Sequence, residues 1–223
     1  MSSLEQEYQF QETTLKKYFM SVAVAGTALF FNSTDVQAGE ILLEGHRPKL
    51  TLHSDLRLRG DIKKQFSYFK KNADYYGALY INSQEDIAGE FWDTRSLALA
   101  KQSALKSCRL KSEDPSLCAL YATVGPKKPA AGDGIRLSQS GNRLFKEYQR
   151  TQKDGKFGAF ATTKYGHPGY SRNLSSEVEA RATAIRYCRK SVKGVNANTS
   201  AHLVQNVMAG SGSKCSVIHV TRP

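Results

Sequence analysis

The sequence predicts an α+β chain built from two tandem β-β-α-β units, forming antiparallel or mixed sheet with helices packed on it and one disulfide in each unit. Three observations predict it. Tyr76-Gly77-Ala78-Leu79 returns as Phe157-Gly158-Ala159-Phe160, 81 positions on. Ala100, Ala104, Leu105 and Cys108 return as Ala180, Ala184, Ile185 and Cys188, 80 positions on. The strand-like run from Cys118 to Val124 returns as Cys215 to Thr221. A near-constant offset across strand, helix and cysteine positions is the mark of a tandem duplication. Two units sharing one sheet suit a chain of this length.

The elements follow in order. Leu50, Leu52, Leu56 and Leu58 fall mostly at even spacing and predict one or two short strands. Ile62, Phe66 and Phe69 form one face of a short helix whose other face carries Lys63, Lys64, Lys70 and Lys71. The second unit echoes this leader with Ile135-Arg-Leu137, then Leu144, Phe145 and Tyr148. Tyr76–Ile81 predicts a strand, Asn82–Asp86 a turn and Ile87–Trp92 the return. The matching hairpin is Phe157–Thr163, Lys164–Gly169 and Tyr170–Asn173. Gly77 and Gly158 predict a bulge or a close backbone approach.

Each hairpin leads to a helix. Asp93 or Thr94 is expected to cap the first, and Ser176 with Glu179 has capping-box spacing for the second. The stripes Ala100, Ala104, Cys108 and Ala180, Ala184, Cys188 let each helix axis sit close to a sheet. In the closing strands Leu120 and Ala122 are expected to face away from Tyr121 and Thr123, and Val217 and His219 away from Ile218 and Val220. The linker is Gly125–Gly134 by composition. Ser191–Ser213 reads as a long connection, with a short helix expected over Val195–Val207 (His202, Leu203, Asn206, Val207).

Residues 1–38 have the order of a secretory signal peptide: Lys16-Lys17, an apolar stretch from Tyr18 to Phe31, then Val36-Gln37-Ala38 before Gly39. Residues 1–14, with three acidic groups and no basic one, are read as an over-long start. The expected organisation is therefore a leader over 1–38, a first repeat over 39–130 and a second over 131–223, with no membrane span after cleavage. The expected location is therefore beyond the cytoplasmic membrane, in a periplasm or outside the cell. The full chain carries +12; residues 1–38 hold two basic and four acidic groups, so the remainder carries +14. Residues 74–130 balance seven basic against seven acidic groups, whereas residues 154–223 carry ten against three. That favours anionic polymers or acidic proteins as partners.

All four cysteines lie beyond residue 38, two per unit. If the units fold alike, the pairs are Cys108–Cys118 and Cys188–Cys215. Zinc is disfavoured by the absence of Cys-x-x-Cys spacing or a convergent histidine cluster. A duplicated basic stripe lies opposite the alanines: Lys101/Arg181, Lys106/Arg186 and Arg109/Arg189, continued by Lys190 and Lys193. The candidate polyanion-binding residues are Arg181, Arg186, Arg189, Lys190, Lys193, Lys106 and Arg109. A solvated helix face with cations near its C-terminus accounts for the same stripe. No catalytic motif is found: the five histidines are scattered, no G-x-S-x-G elbow occurs, and Glu85/Asp86 and Glu113/Asp114 read as solvated turn residues. Trp92, the one tryptophan, reads as a core residue, with sugar stacking as the alternative.

The pattern of Gly77, Ala78, Cys108 and Cys118, then Gly158, Ala159, Cys188 and Cys215, resembles small exported bacterial domains of unknown function. These combine a "YGA" strand, an Ala-rich helix ending in Cys, and a strand opened by Cys. The resemblance covers about two-thirds of residues 39–223 (Tyr75–Val124 and Phe157–Val220). Some relatives that the chain resembles carry a 5-aminolevulinate synthase label. That activity needs a large pyridoxal-phosphate fold with a Schiff-base lysine, which the 185 residues after the leader do not resemble. The expectation is an exported, non-catalytic binding or accessory protein with no cofactor, using its basic face against an anionic envelope polymer. A hydrolase-like envelope enzyme is the alternative, and would require a pocket of convergent polar groups.

Overall fold

Amphipathic periodicity and alternating strands resolve into nine strands and four α-helices among the described residues. They run β1 (Ile41–Leu42), β2 (Pro48–Leu52), α1 (Gly60–Asn72), β3 (Gly77–Asn82), β4 (Ile87–Phe91), α2 (Leu97–Arg109) and β5 (Ala119–Pro126). Then come β6 (Ile135–Arg136), α3 (Gln139–Thr151), β7 (Phe157–Thr162), β8 (Pro168–Leu174), α4 (Glu177–Asn198) and β9 (Ser216–Thr221). The computed structural model describes residues 39–198, 204–205 and 210–223. The expected leader over 1–38 lies outside them, as do His202, Leu203, Asn206 and Val207.

Two β-β-α-β units are present, each with a preceding helix. Their strand orders match: β5-β3-β4 in the first, β9-β7-β8 in the second, with antiparallel pairing throughout. The units do not share a sheet as expected. β2 pairs along β5 from Pro48↔Pro126 to Leu52↔Ala122 and occupies the edge by which the second unit would have joined. A separate two-stranded parallel pair, β1–β6, links the chain start to the second leader instead.

Helices cover both faces of each sheet. Phe66 of α1 meets Tyr121 edge-on at 5.1 Å, and Phe145 of α3 meets Phe160 at the same distance. On the other face, Ala100, Ala104 and Cys108, like Ala180, Ala184 and Cys188, are fully buried. The axis comes this close because of two glycines that the motif reading missed. A Cβ on Gly89 would run into Cys108 N and Ala104 O, and one on Gly169 into Cys188 N and Ala184 O. Gly77 and Gly158 are also tight: their added Cβ atoms would meet Trp92 and Tyr148 respectively, and β7 slips register against β8 at Gly158.

The closing strands do not alternate as expected. Both units carry a bulge at the same place, between Leu79 and Tyr80 in β3 and between Phe160 and Ala161 in β7. In the second unit the extra residue, Ile218, shares the core of Phe145 and Tyr148 with its neighbour His219, whose ring meets both, instead of facing away from it. Both disulfides form, Cys108–Cys118 and Cys188–Cys215, each within its own unit.

Capping departs from the expected pattern in an instructive way. Ser96, not Asp93 or Thr94, caps α2 by accepting from Leu99 N at 3.2 Å. Ser176 caps α4 as expected, accepting from Glu179 N at 3.2 Å, while the Glu179 carboxylate is met by Ser175. Asp93, held at φ 57°, instead crosses to the second unit, where its carboxylate accepts from Ser140 N (3.0 Å) and from the Ser140 hydroxyl at the start of α3. Nor are the turn acids merely solvated. Asp86 accepts from Asp61 N and Ile62 N at the start of α1, and Glu85 from Glu113 N and Asp114 N. These bonds hold the Asp86 and Glu85 carboxyls below their usual range. α4 also extends to Asn198, into the segment read as a loop.

The units are joined around one fully buried carboxylate. Glu44 accepts from Tyr76 Oη (2.6 Å), Arg136 (2.5 Å) and Ala130 N (2.6 Å), while its own N–H reaches Asn142 Oδ1 at 3.0 Å. Burial and the Glu44 hydrogen bond push the Tyr76 hydroxyl up to about 12. Beside it, Ile41 and Leu43 enter the second unit's core of Leu137, Phe145, Tyr148, Phe160 and Ile218.

Two outcomes follow for stability. Glu44→Ala leaves the Tyr76 hydroxyl and the Ala130 N–H without their acceptor and takes the ion-pair partner from the partly exposed Arg136, and should destabilise the protein by roughly 2–4 kcal/mol in urea unfolding, with Glu44→Ala/Arg136→Met costing less than the sum of the single changes. Replacing Cys188 and Cys215 by Ala should cost about 1 kcal/mol more than replacing Cys108 and Cys118, because the closed loop is longer (27 against 10 residues).

Candidate basic groove beside the second helix

The Ala180, Ala184, Cys188 stripe fixes which side of α4 faces solvent. Arg186, Arg189, Lys190 and Lys193 are exposed on the opposite side, and none of them forms a salt bridge among the described residues. Arg181 differs. Its Nε lies 2.8 Å from Glu177 Oε1, and Glu177 also takes Arg222 Nε at 2.8 Å. These two guanidinium groups hold the Glu177 carboxyl down to about 2. Arg181 is therefore internally neutralised, while the other four cations remain available. In the first unit Lys106 and Arg109 occupy the same exposed positions on α2.

A groove of about 550 Å³ runs along the outer side of β8, between Leu144 of α3 and the Thr183, Arg186 and Tyr187 side of α4. Tyr170 and Arg172 of β8 line its floor. The Arg186 guanidinium lies 5.5 Å from the Tyr187 ring centre, a cation–π contact. Tyr170 stacks on Phe160 and donates to Glu147 at 2.9 Å. Sequence reasoning singled out Arg186 but not Tyr170, Arg172 or Tyr187. The return strand was legible; that its outer edge lies open beside the basic helix was not.

A second groove, about 600 Å³, lies around Arg57, Arg59 and Ile62 at the start of α1. The amides of Asp61 and Ile62 there are already bonded to Asp86. Trp92 packs against Phe69 and Tyr68 at 5.9 and 6.0 Å, as a core-margin residue.

The polar cluster closest to a hydrolase arrangement is at the unit junction. Ser140 binds Asp93, and Ser138 donates to Gly166 O at 3.0 Å while accepting from Gly141 N. His167 is nearby, its ring pushed down by burial against the opposing pull of Asp93, and its Nε2 has no partner among the described residues. The Ser138 hydroxyl is spent on capping α3 and the Ser140 hydroxyl on Asp93, with no histidine bonded to either, so the cluster closes a joint. Among the described residues no three His, Cys, Asp or Glu side chains converge as a metal site would need, and no helix is long and apolar enough to cross a membrane.

No match is found among protein-family models, curated proteins or solved structures.

Glu90 on β4, in the first unit, gives the protein a pH signature. Burial, opposed by Lys111, pushes its carboxyl up to about 7 from an ordinary 4.5. A carboxyl raised in the folded state favours folding below its unfolded value, and that advantage is lost as pH rises through the folded one. Wild-type stability relative to Glu90→Gln should therefore fall between pH 4.5 and about 7, by on the order of 2 kcal/mol, in urea titrations across that range.

Proposed function

We propose that the chain is an exported, non-catalytic binding or accessory protein that meets an anionic partner through the outer face of α4. The observation that carries this is the set of four exposed, unpaired cations, Arg186, Arg189, Lys190 and Lys193, beside an open groove. A solvated helix face needs neither the groove nor the aromatic side chains at its wall. Two disulfides in described positions support folding in an oxidising compartment such as the bacterial periplasm. Matched bulges and matched glycine contacts in the two units support descent from one duplicated module.

The test is binding of labelled inorganic polyphosphate to the full chain by fluorescence anisotropy. Affinity should fall steeply between about 50 and 200 mM salt, as counterion release requires. Arg186→Glu/Arg189→Glu/Lys193→Glu should weaken binding by about tenfold or more at the lower salt. Unchanged binding in that variant ends the proposal. N-terminal sequencing of protein recovered from expressing cells should begin at Gly39.

A further inference from the structure

The two units place the same edge strand in the same position and treat it differently. In the first, Lys111 reaches across the edge and donates to Ala88 O of β4 at 2.8 Å. Lysines on sheet edges are a known guard against unwanted strand pairing. Ser103 and Ser107, on the adjoining wall of α2, are buried. In the second unit, 80 positions on, Pro168 stands for Ala88 and Ser191 for Lys111, so no lysine crosses the edge and the one remaining guard is Pro168, which withdraws a single donor at the start of β8. Thr183 and Tyr187 replace the two buried serines and stand at an open groove. Tyr170 replaces Glu90, and Arg186 replaces Lys106. Among the described residues no strand pairs with the outer side of β8.

Beyond Pro168 the strand edge offers main-chain donors and acceptors at the strand repeat, a feature that a polyphosphate or a sugar chain does not need and an extended peptide does. The lining adds two cations, Arg172 and Arg186, against one acid, Glu179. We propose that this groove takes an extended acidic segment of a partner polypeptide, added to the β8-β7-β9 sheet as a further strand with its carboxylates at Arg172 and Arg186. This rests on the anion-binding reading above and narrows it to a peptide. The net positive charge of the second unit disfavours a second copy of this chain as the occupant.

The probe is an alternating Glu–Val peptide of about seven residues, matched to the seven of β8, together with the same peptide N-methylated at every second residue. Methylation keeps the charge and removes the main-chain donors along one edge. The full chain should bind the unmodified peptide, with amide shifts concentrated in residues 168–174. The methylated peptide and the Arg172→Glu/Arg186→Glu variant should each bind about tenfold more weakly or worse. Equal binding of both peptides, or peptide binding without shifts in β8, overturns strand addition while leaving anion binding intact. Failure to bind either peptide or polyphosphate at low salt overturns both readings. A dimer in sedimentation whose interface protects the β8 amides assigns the edge to a second copy, and overturns the proposal.

Discussion

A carboxylate removed from water holds the described chain together. Glu44 has less than a thirtieth of its surface exposed, and each side of its carboxyl group is met by a donor from a different part of the fold: β3's approach through Tyr76, the linker through Ala130, β6 through Arg136. Burying a charge is unfavourable unless it is paired and fully hydrogen-bonded, and this one is. The arrangement exacts a specific geometry from all three segments at once. It thereby fixes how the leader, the first unit and the second unit meet, which apolar contacts alone would leave loosely specified. The Asp93 cap on α3 and the paired Tyr75–Gln139 bonds, Tyr75 N to Gln139 Oε1 and Gln139 N to Tyr75 O, extend the same joint.

What was legible in the sequence was whatever the chain repeats. Alanine stripes, the helical cysteines and the hairpins recur 80 or 81 positions on and the closing cysteine 97 positions on, so each half checks the other, and the structure contains them. The joint does not recur. Glu44, Tyr76 and Arg136 lie up to 92 positions apart and carry no periodicity, so no local pattern announces them. The bulge was hidden for a different reason: inserting one residue opposite Leu79 or Phe160 reverses the alternation that strand reading assumes. Gly89 and Gly169 were written at the repeat offset and went unread, since their meaning depends on a helix lying against the strand.

The candidate site was partly legible for the same reasons. Exposed cations on α4 follow from helical spacing once the alanine face is known. Neutralisation of Arg181 by Glu177 follows from the i, i+4 relation, but the contribution of Arg222, from beyond the last strand, does not. The groove arises from what the second unit lacks relative to the first, namely a lysine over its edge strand, and only superposing the two units makes that difference visible. The two units thus differ in charge and at one edge: the first is electrically balanced with Lys111 over its edge strand, the second basic with no lysine there.

The lodging of Ile41 and Leu43 among Phe145, Phe160 and Ile218 has a consequence for how the protein is made. The first described residues to emerge during synthesis find their apolar neighbours only once β6, α3 and the strands after them have been delivered. The first unit holds within residues 48–126 everything its own sheet requires, while the earliest segment waits beside it, still wetted. Completion thus joins the two ends of the described chain, the earliest described segment meeting Ile218 of the last strand.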